Sequence, residues 1–87
     1  MEQKYQGYFI TSCGRVWSYY KNGFLNKRIK KGRNQACING VDKLVSRLVA
    51  ETYLPNPNNL PEVDHINNDK TDDRLINLQW IDKATNI

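Results

Sequence analysis

The sequence predicts an α+β fold for a small single domain, and three observations carry that reading. Two runs rich in aromatic and β-branched residues, Gly7-Tyr8-Phe9-Ile10-Thr11 and Arg15-Val16-Trp17-Ser18-Tyr19-Tyr20, are separated by the turn-forming Ser12-Cys13-Gly14. An Asn39-Gly40 step between Ala36-Cys37-Ile38 and Val41 to Val45 supplies the two positive φ angles of a type I′ hairpin turn. From about Ser46 the apolar pattern becomes helical, and Pro55 and Pro57 stop it.

The elements follow in order. The first two runs form a hairpin that packs Trp17 and its neighbours, and Asn22-Gly23 turns tightly into Phe24-Leu25. Lys27-Arg28-Ile29-Lys30-Lys31-Gly32-Arg33 then places five basic residues in seven positions. By itself such a run reads as a solvated loop, and contact with nucleic acid is its competing role. After the Asn39-Gly40 hairpin, the helix takes Ser46 as its N-cap, has Arg47 near its first turn, and clusters Leu48, Val49, Thr52 and Tyr53 on one face. Asn56 to Pro61 is a connecting loop. Glu62-Val63-Asp64 is a short strand that presents Asp64 and His65 at its end. Residues 67–73 are too polar for a core, and Asp69, Asp72 and Asp73 read as solvated loop carboxylates. Leu75, Leu78, Trp80 and Ile81 fix a second strand, and Asp82 caps a final helix beginning at Lys83. The expected organisation is one domain over 1–87, with a basic hairpin and helix region at 1–58 and the site-bearing strand, loop, strand and helix at 59–87.

The bulk numbers narrow the class. A chain of 87 residues buries a modest fraction of its surface, so deep pockets are not expected. Hydrophobic content of 39% and charged content of 25% are those of an ordinary folded chain rather than a disordered one. No apolar run reaches membrane-spanning length and Met1-Glu2-Gln3-Lys4 lacks the form of a signal peptide, which predicts a cytoplasmic protein without a membrane partner. Cys13, Cys37 and the one histidine are too few for a four-ligand structural zinc site, so none is expected. The two thiols read as buried and free.

Charge is unevenly divided. Residues 1–49 carry ten Lys or Arg against two acids, a balance of +8, whereas residues 50–87 carry three basic and seven acidic residues, a balance of −4. A basic half suits a polyanion, but an acidic loop repels phosphate unless a cation lies between them. The combination fits a metal-dependent phosphodiesterase better than a simple DNA-binding module.

The acidic half also holds the sole histidine, directly after a carboxylate. Asp64-His65 offers a hard oxygen ligand and a base from adjacent positions, although a lone pair of this kind is ordinarily just solvated. Around it, Val63-Asp64-His65, Asn68-Asp69-Lys70, Asn77-Leu78-Gln79-Trp80 and Asn86 together resemble the HNH endonucleases, more narrowly the free-standing and intron-borne phage type. The Gly7-Tyr8, Gly14-Arg15-Val16 and Ser18 steps resemble a short module that precedes this motif in such enzymes. The resemblance implies a ββα-metal arrangement for the last third, with His65 as general base and Asp64 and Asn86 as metal ligands. It gives Asn77 the role of bracing the loop so that the histidine is aimed. One carboxylate and one amide oxygen leave most of an octahedron to water and phosphate, the habit of Mg2+, with Mn2+ as the alternative.

Lys27, Arg28, Lys30, Lys31, Arg33, Arg47, Lys70 and Arg74 are the candidate DNA contacts, to phosphate rather than to bases. Where relatives commonly have a histidine before the Arg-Leu-Val-Ala step, this chain has Ser46. The given sequence ends one residue after Asn86, so the tail is expected to need DNA, a second copy or a partner chain to order it, and site selectivity is expected to be low. The implied function is a metal-dependent DNA endonuclease of phage type. The alternative is a catalytically weak or idle DNA-binding or accessory protein that keeps the fold.

Overall fold

The computed structural model describes residues 5–82, and their fold is α+β. Strands β1 (Tyr8–Ile10), β2 (Val16–Ser18) and β3 (Gly23–Phe24) form an antiparallel sheet in that order, with Phe9 opposite Trp17 and Trp17 opposite Phe24. The rings of Trp17 and Phe24 meet edge to face at 5.0 Å between centroids. A second antiparallel sheet holds β4 (Arg28–Lys30), β5 (Arg33–Ile38) and β6 (Val41–Leu44). Helix α1 (Val45–Tyr53) follows directly, and β7 (Glu62–His65) pairs with β8 (Leu78–Ile81) after a 3₁₀ turn at Leu75–Asn77.

The Asn39-Gly40 turn forms as its chemistry requires, with φ of 51° and 84° between the paired Ile38 and Val41. The basic run departs from its reading as a loop. Lys31 and Gly32 take φ of 55° and 76° and reverse the chain, so that Arg28–Lys30 pairs with β5 as an exposed edge strand. Lys and Arg along an edge also discourage pairing with another chain.

Helix α1 lies at the centre and packs against β1, β5, β6, β7, β8 and the 3₁₀ turn. Its buried Val45, Leu48 and Val49 close with Ile10, Val16, Ala36, Ile38 and Leu78 into one core. Burying each of the larger aliphatic side chains contributes about 1.5–3 kcal/mol. Ser46 is not the N-cap. The pairing of β6 with β5 runs on to Leu44, which itself flanks the helix with no side-chain capping bond, and Ser46 is buried in the first turn. The far end closes through the backbone, Leu54 N–H donating to the Ala50 carbonyl at 2.9 Å.

Both cysteines are free and exposed, contrary to the buried thiols expected. In β5, alternation turns Asn34, Ala36 and Ile38 inward and leaves Cys37 on the outer face. Cys13 lies in the exposed turn before Gly14, its Sγ 3.1 Å from Thr11 Oγ1. The predicted final helix from Lys83 and the predicted ligand Asn86 fall outside the described residues, among which no helix is long and apolar enough to cross a membrane.

Candidate active site

β7 ends at His65, opposite Leu78 of β8, and the chain leaves the sheet through a tight turn in which Asn68 N–H donates to the His65 carbonyl at 2.9 Å. Asn68 takes φ of 64°, a conformation asparagine tolerates better than most residues. A cavity of about 90 Å³ opens here, lined by Arg33, Glu62, Val63, Asp64, His65, Asn68 and Lys70. It brings Asp64 and His65 together with two cationic side chains, one from each half of the sequence.

Asn77 closes the loop behind the histidine. Its Oδ1 accepts from Asn67 N–H at 3.1 Å, and its Nδ2 donates to Asn67 Oδ1 and to the Asp72 carbonyl, both at 2.9 Å. Its own carbonyl accepts from Ile66 N–H at 2.8 Å. Asp69 and Asp72 serve the shape of the loop. Asp69 accepts from the Thr71 hydroxyl at 2.7 Å and the Thr71 N–H at 3.0 Å, and these bonds hold its carboxyl below the usual range. Arg74 forks onto Asp72 through two 2.7 Å bonds and, as the main cause, pushes its carboxyl down to about 2; the same fork raises the Arg74 guanidinium.

Asp73 corrects the sequence reading most sharply. It is 4% exposed rather than a solvated loop carboxylate, and its Oδ1 lies 2.7 Å from His65 Nε2, itself on a residue 4% exposed. Its Oδ2 accepts from Asn34 Nδ2 at 3.0 Å, and the same amide donates to the Thr71 carbonyl at 3.0 Å. A carboxylate out of water is costly unless its oxygens are satisfied, and here both are. Asn34 lies 39 positions earlier, on β5, so no spacing rule in the sequence points from one to the other.

Asp64 lines the cavity and accepts from Gln79 Nε2 at 2.8 Å through Oδ2, while its Oδ1 makes no hydrogen bond with the described residues. Among those residues no group of three or more His, Cys, Asp or Glu is placed to hold a metal ion. One free carboxylate oxygen beside a small polar cavity suits a hard cation that keeps most of its waters, and does not suit a thiolate- or imidazole-bound zinc.

The predicted DNA contacts are spread over several faces. Arg33 and Lys70 line the cavity. Arg28 pairs with Asp42, Lys30 Nζ lies 3.6 Å from the same carboxylate, and Lys31 is in the exposed turn beside them. Lys27 Nζ donates to the Gly14 carbonyl at 3.3 Å. Arg47 lines a separate depression of about 490 Å³ with Trp80. It donates to the Pro61 carbonyl at 2.8 Å, lies 3.7 Å from Glu51 Oε2, and holds its guanidinium 5.6 Å from the Trp80 ring centroid. Arg74, beyond its fork, borders an apolar depression with Ser12, Cys13, Leu75 and Ile76.

No protein-family model matches the chain. It is similar to two uncharacterized HNH endonucleases of Acanthamoeba polyphaga mimivirus. One is 40% identical over 85 residues, covering 92% of this chain and 26% of the relative; the other is 30% identical over 90 residues, covering 95% and 23%. The fold is similar to that of the HNH homing endonuclease I-HmuI, in a structure described by its DNA binding and cleavage, with a TM-score of 0.81 and 28% identity over 99% of this chain and 55% of that one. The chain thus spans about a quarter of the length of these viral relatives.

Proposed function

We propose that this chain, which belongs to the HNH endonuclease family, carries the hydrolytic site of a divalent-metal-dependent DNA endonuclease. The observation that carries the reading is the meeting of Asp64 and His65 with Arg33 and Lys70 at one cavity. Phosphodiester hydrolysis needs a base for the attacking water, and imidazole is the side chain that exchanges a proton near neutral pH. His65 takes that proton. Arg33 and Lys70 hold the phosphate by charge, which positions DNA without reading its bases. Asp64 is the ligand for the cation, and Asn86, which matches the family motif, is the second. A hard divalent ion, Mg2+ first and Mn2+ as the alternative, supplies Lewis acidity at the phosphate when bound. Asn77 keeps the loop behind His65 closed.

Within this segment recognition is of the DNA backbone, so its contribution to sequence selectivity is low. The relatives are viral, which supports a viral origin; a phage source and action in the host cytoplasm belong to the proposal alone. The second reading is a catalytically weak or idle DNA-binding or accessory protein that keeps the fold, which binds DNA without cleaving it.

Plasmid relaxation separates the two. Cleavage with Mg2+ or Mn2+ that EDTA abolishes is expected, and His65→Ala should lose it by about 10²–10⁴-fold while binding DNA within a small factor. Binding without cleavage under any divalent ion would leave the idle reading standing.

A further inference from the structure

The buried carboxylate beside the base is a part of the site that the family motif quoted above does not name. We infer that Asp73 is the positioning residue of His65, and that Asn34 and Gly14 of the N-terminal sheets hold it in place; this rests on His65 acting as the base. The pair is 2.7 Å apart, with side chains 4% and 2% exposed. A carboxylate oxygen accepts, so the hydrogen-bond network puts the imidazole proton on Nε2 and leaves Nδ1 with the lone pair. His65 makes no other side-chain hydrogen bond among the described residues, and none of their buried side-chain nitrogens or oxygens lacks a partner. Nδ1 therefore keeps an opening to solvent, and the cavity lined by Asp64 and His65 is where that opening lies. Asp73 selects the nitrogen that works and fixes the plane of the ring.

The support for Asp73 comes from the far end of the sequence. Asn34 Nδ2 ties its Oδ2 to the Thr71 carbonyl with two 3.0 Å bonds, which fixes the carboxylate plane. Gly14, at φ +87°, presses its backbone against the same residue: a Cβ there would stand 3.1 Å from both Asp73 Cβ and the Asp73 carbonyl oxygen. Leu75 N–H donates to the Ser12 carbonyl at 2.8 Å and locks the two loops side by side. The N-terminal sheets are thus part of the machinery that aims the base, besides carrying basic residues.

The single histidine makes the test direct, because ¹⁵N-labelled imidazole gives one pair of ring signals. In the wild type the ring proton should reside on Nε2 and exchange slowly with water. Asp73→Ala should lose that protected signal and lower kcat on plasmid DNA with Mg2+ by about 10- to 100-fold, with DNA affinity kept within about twofold. Asp73→Asn, whose Oδ1 can still accept from Nε2 while its Nδ2 gives up the bond from Asn34, should restore the signal and an intermediate rate. A ring proton on Nδ1 in the wild type overturns the inference, as does a folded Asp73→Ala that cleaves at the wild-type rate or loses only DNA affinity. If Asp73→Ala does not fold, the wild-type and Asp73→Asn spectra decide. A wild type that never cleaves refutes the nuclease reading alone, and the ring spectrum still reports whether Asp73 aims the imidazole.

Discussion

Asp72 and Asp73 are neighbours in the chain with opposite employment. Asp73 turns inward to the imidazole, whereas Asp72, on the loop's outer side, is gripped by the Arg74 fork and by Asn67 Nδ2 at 3.1 Å. The carboxyl of Asp72 is held down at about 2, below the ordinary value of about 3.9. A depressed carboxylate contributes stability that is fully present above its unfolded value and is lost as pH falls through the folded one. The melting temperature of Asp72→Asn should therefore lie below that of the wild type at neutral pH, and the gap should close between about pH 4 and pH 2. A gap that stays constant over that window would place the effect in something other than the fork. The exposed geometry keeps the effect modest and sensitive to salt.

At the scale of the elements, α1 is the piece on which β1, β5, β6, β7, β8 and the 3₁₀ turn lean. Leu48 is 1% exposed and belongs to the one core that joins residues of both large sheets and of β8. Truncating Leu48 to Ala should cost about 2–5 kcal/mol in a denaturant melt, since the surrounding strands cannot all close on the space left. Substituting the exposed Ile29 of β4 should cost far less. How much of this was legible follows from how local each signal is. Asn39-Gly40 and Pro55 act through their own backbones, so the second hairpin and the end of the helix could be read directly. Lys31-Gly32 uses the same turn geometry with a residue that rarely adopts it, so β4 was hidden inside what looks like a charge run. Ser46 was misplaced because pairing with β5 extends β6 up to the helix, and that pairing is set by Gln35 opposite Leu44 and not by capping chemistry.

At the scale of the whole molecule, the charge asymmetry of the sequence becomes a junction. The basic first half and the acidic second half meet at the cavity, where Arg33 stands with Glu62, Asp64 and Lys70. The nearness of Asp64, His65 and Asn77 was legible because the motif carries them within 13 positions of one another. Asp73 and Asn34 were not, because their relation to His65 exists only after β5 and the loop are brought together. The same junction makes a quantitative demand on DNA binding. Arg28 and Lys30 share Asp42 in exposed pairs of the kind that contribute about 0–1 kcal/mol, so phosphate can displace that partner at little cost. Arg33, Lys70 and the β4 edge should then each release counterions on binding. The slope of log K against log salt should flatten by roughly 0.9 for each phosphate contact removed, in Arg33→Ala and in Lys30→Ala alike. The two should differ in rate. If Arg33 holds the reacting phosphate as proposed, Arg33→Ala should lower kcat as well as affinity, whereas Lys30→Ala should lower affinity alone. A slope unchanged in both variants would remove the basic half from the DNA interface, and equal rate effects would remove Arg33 from the site.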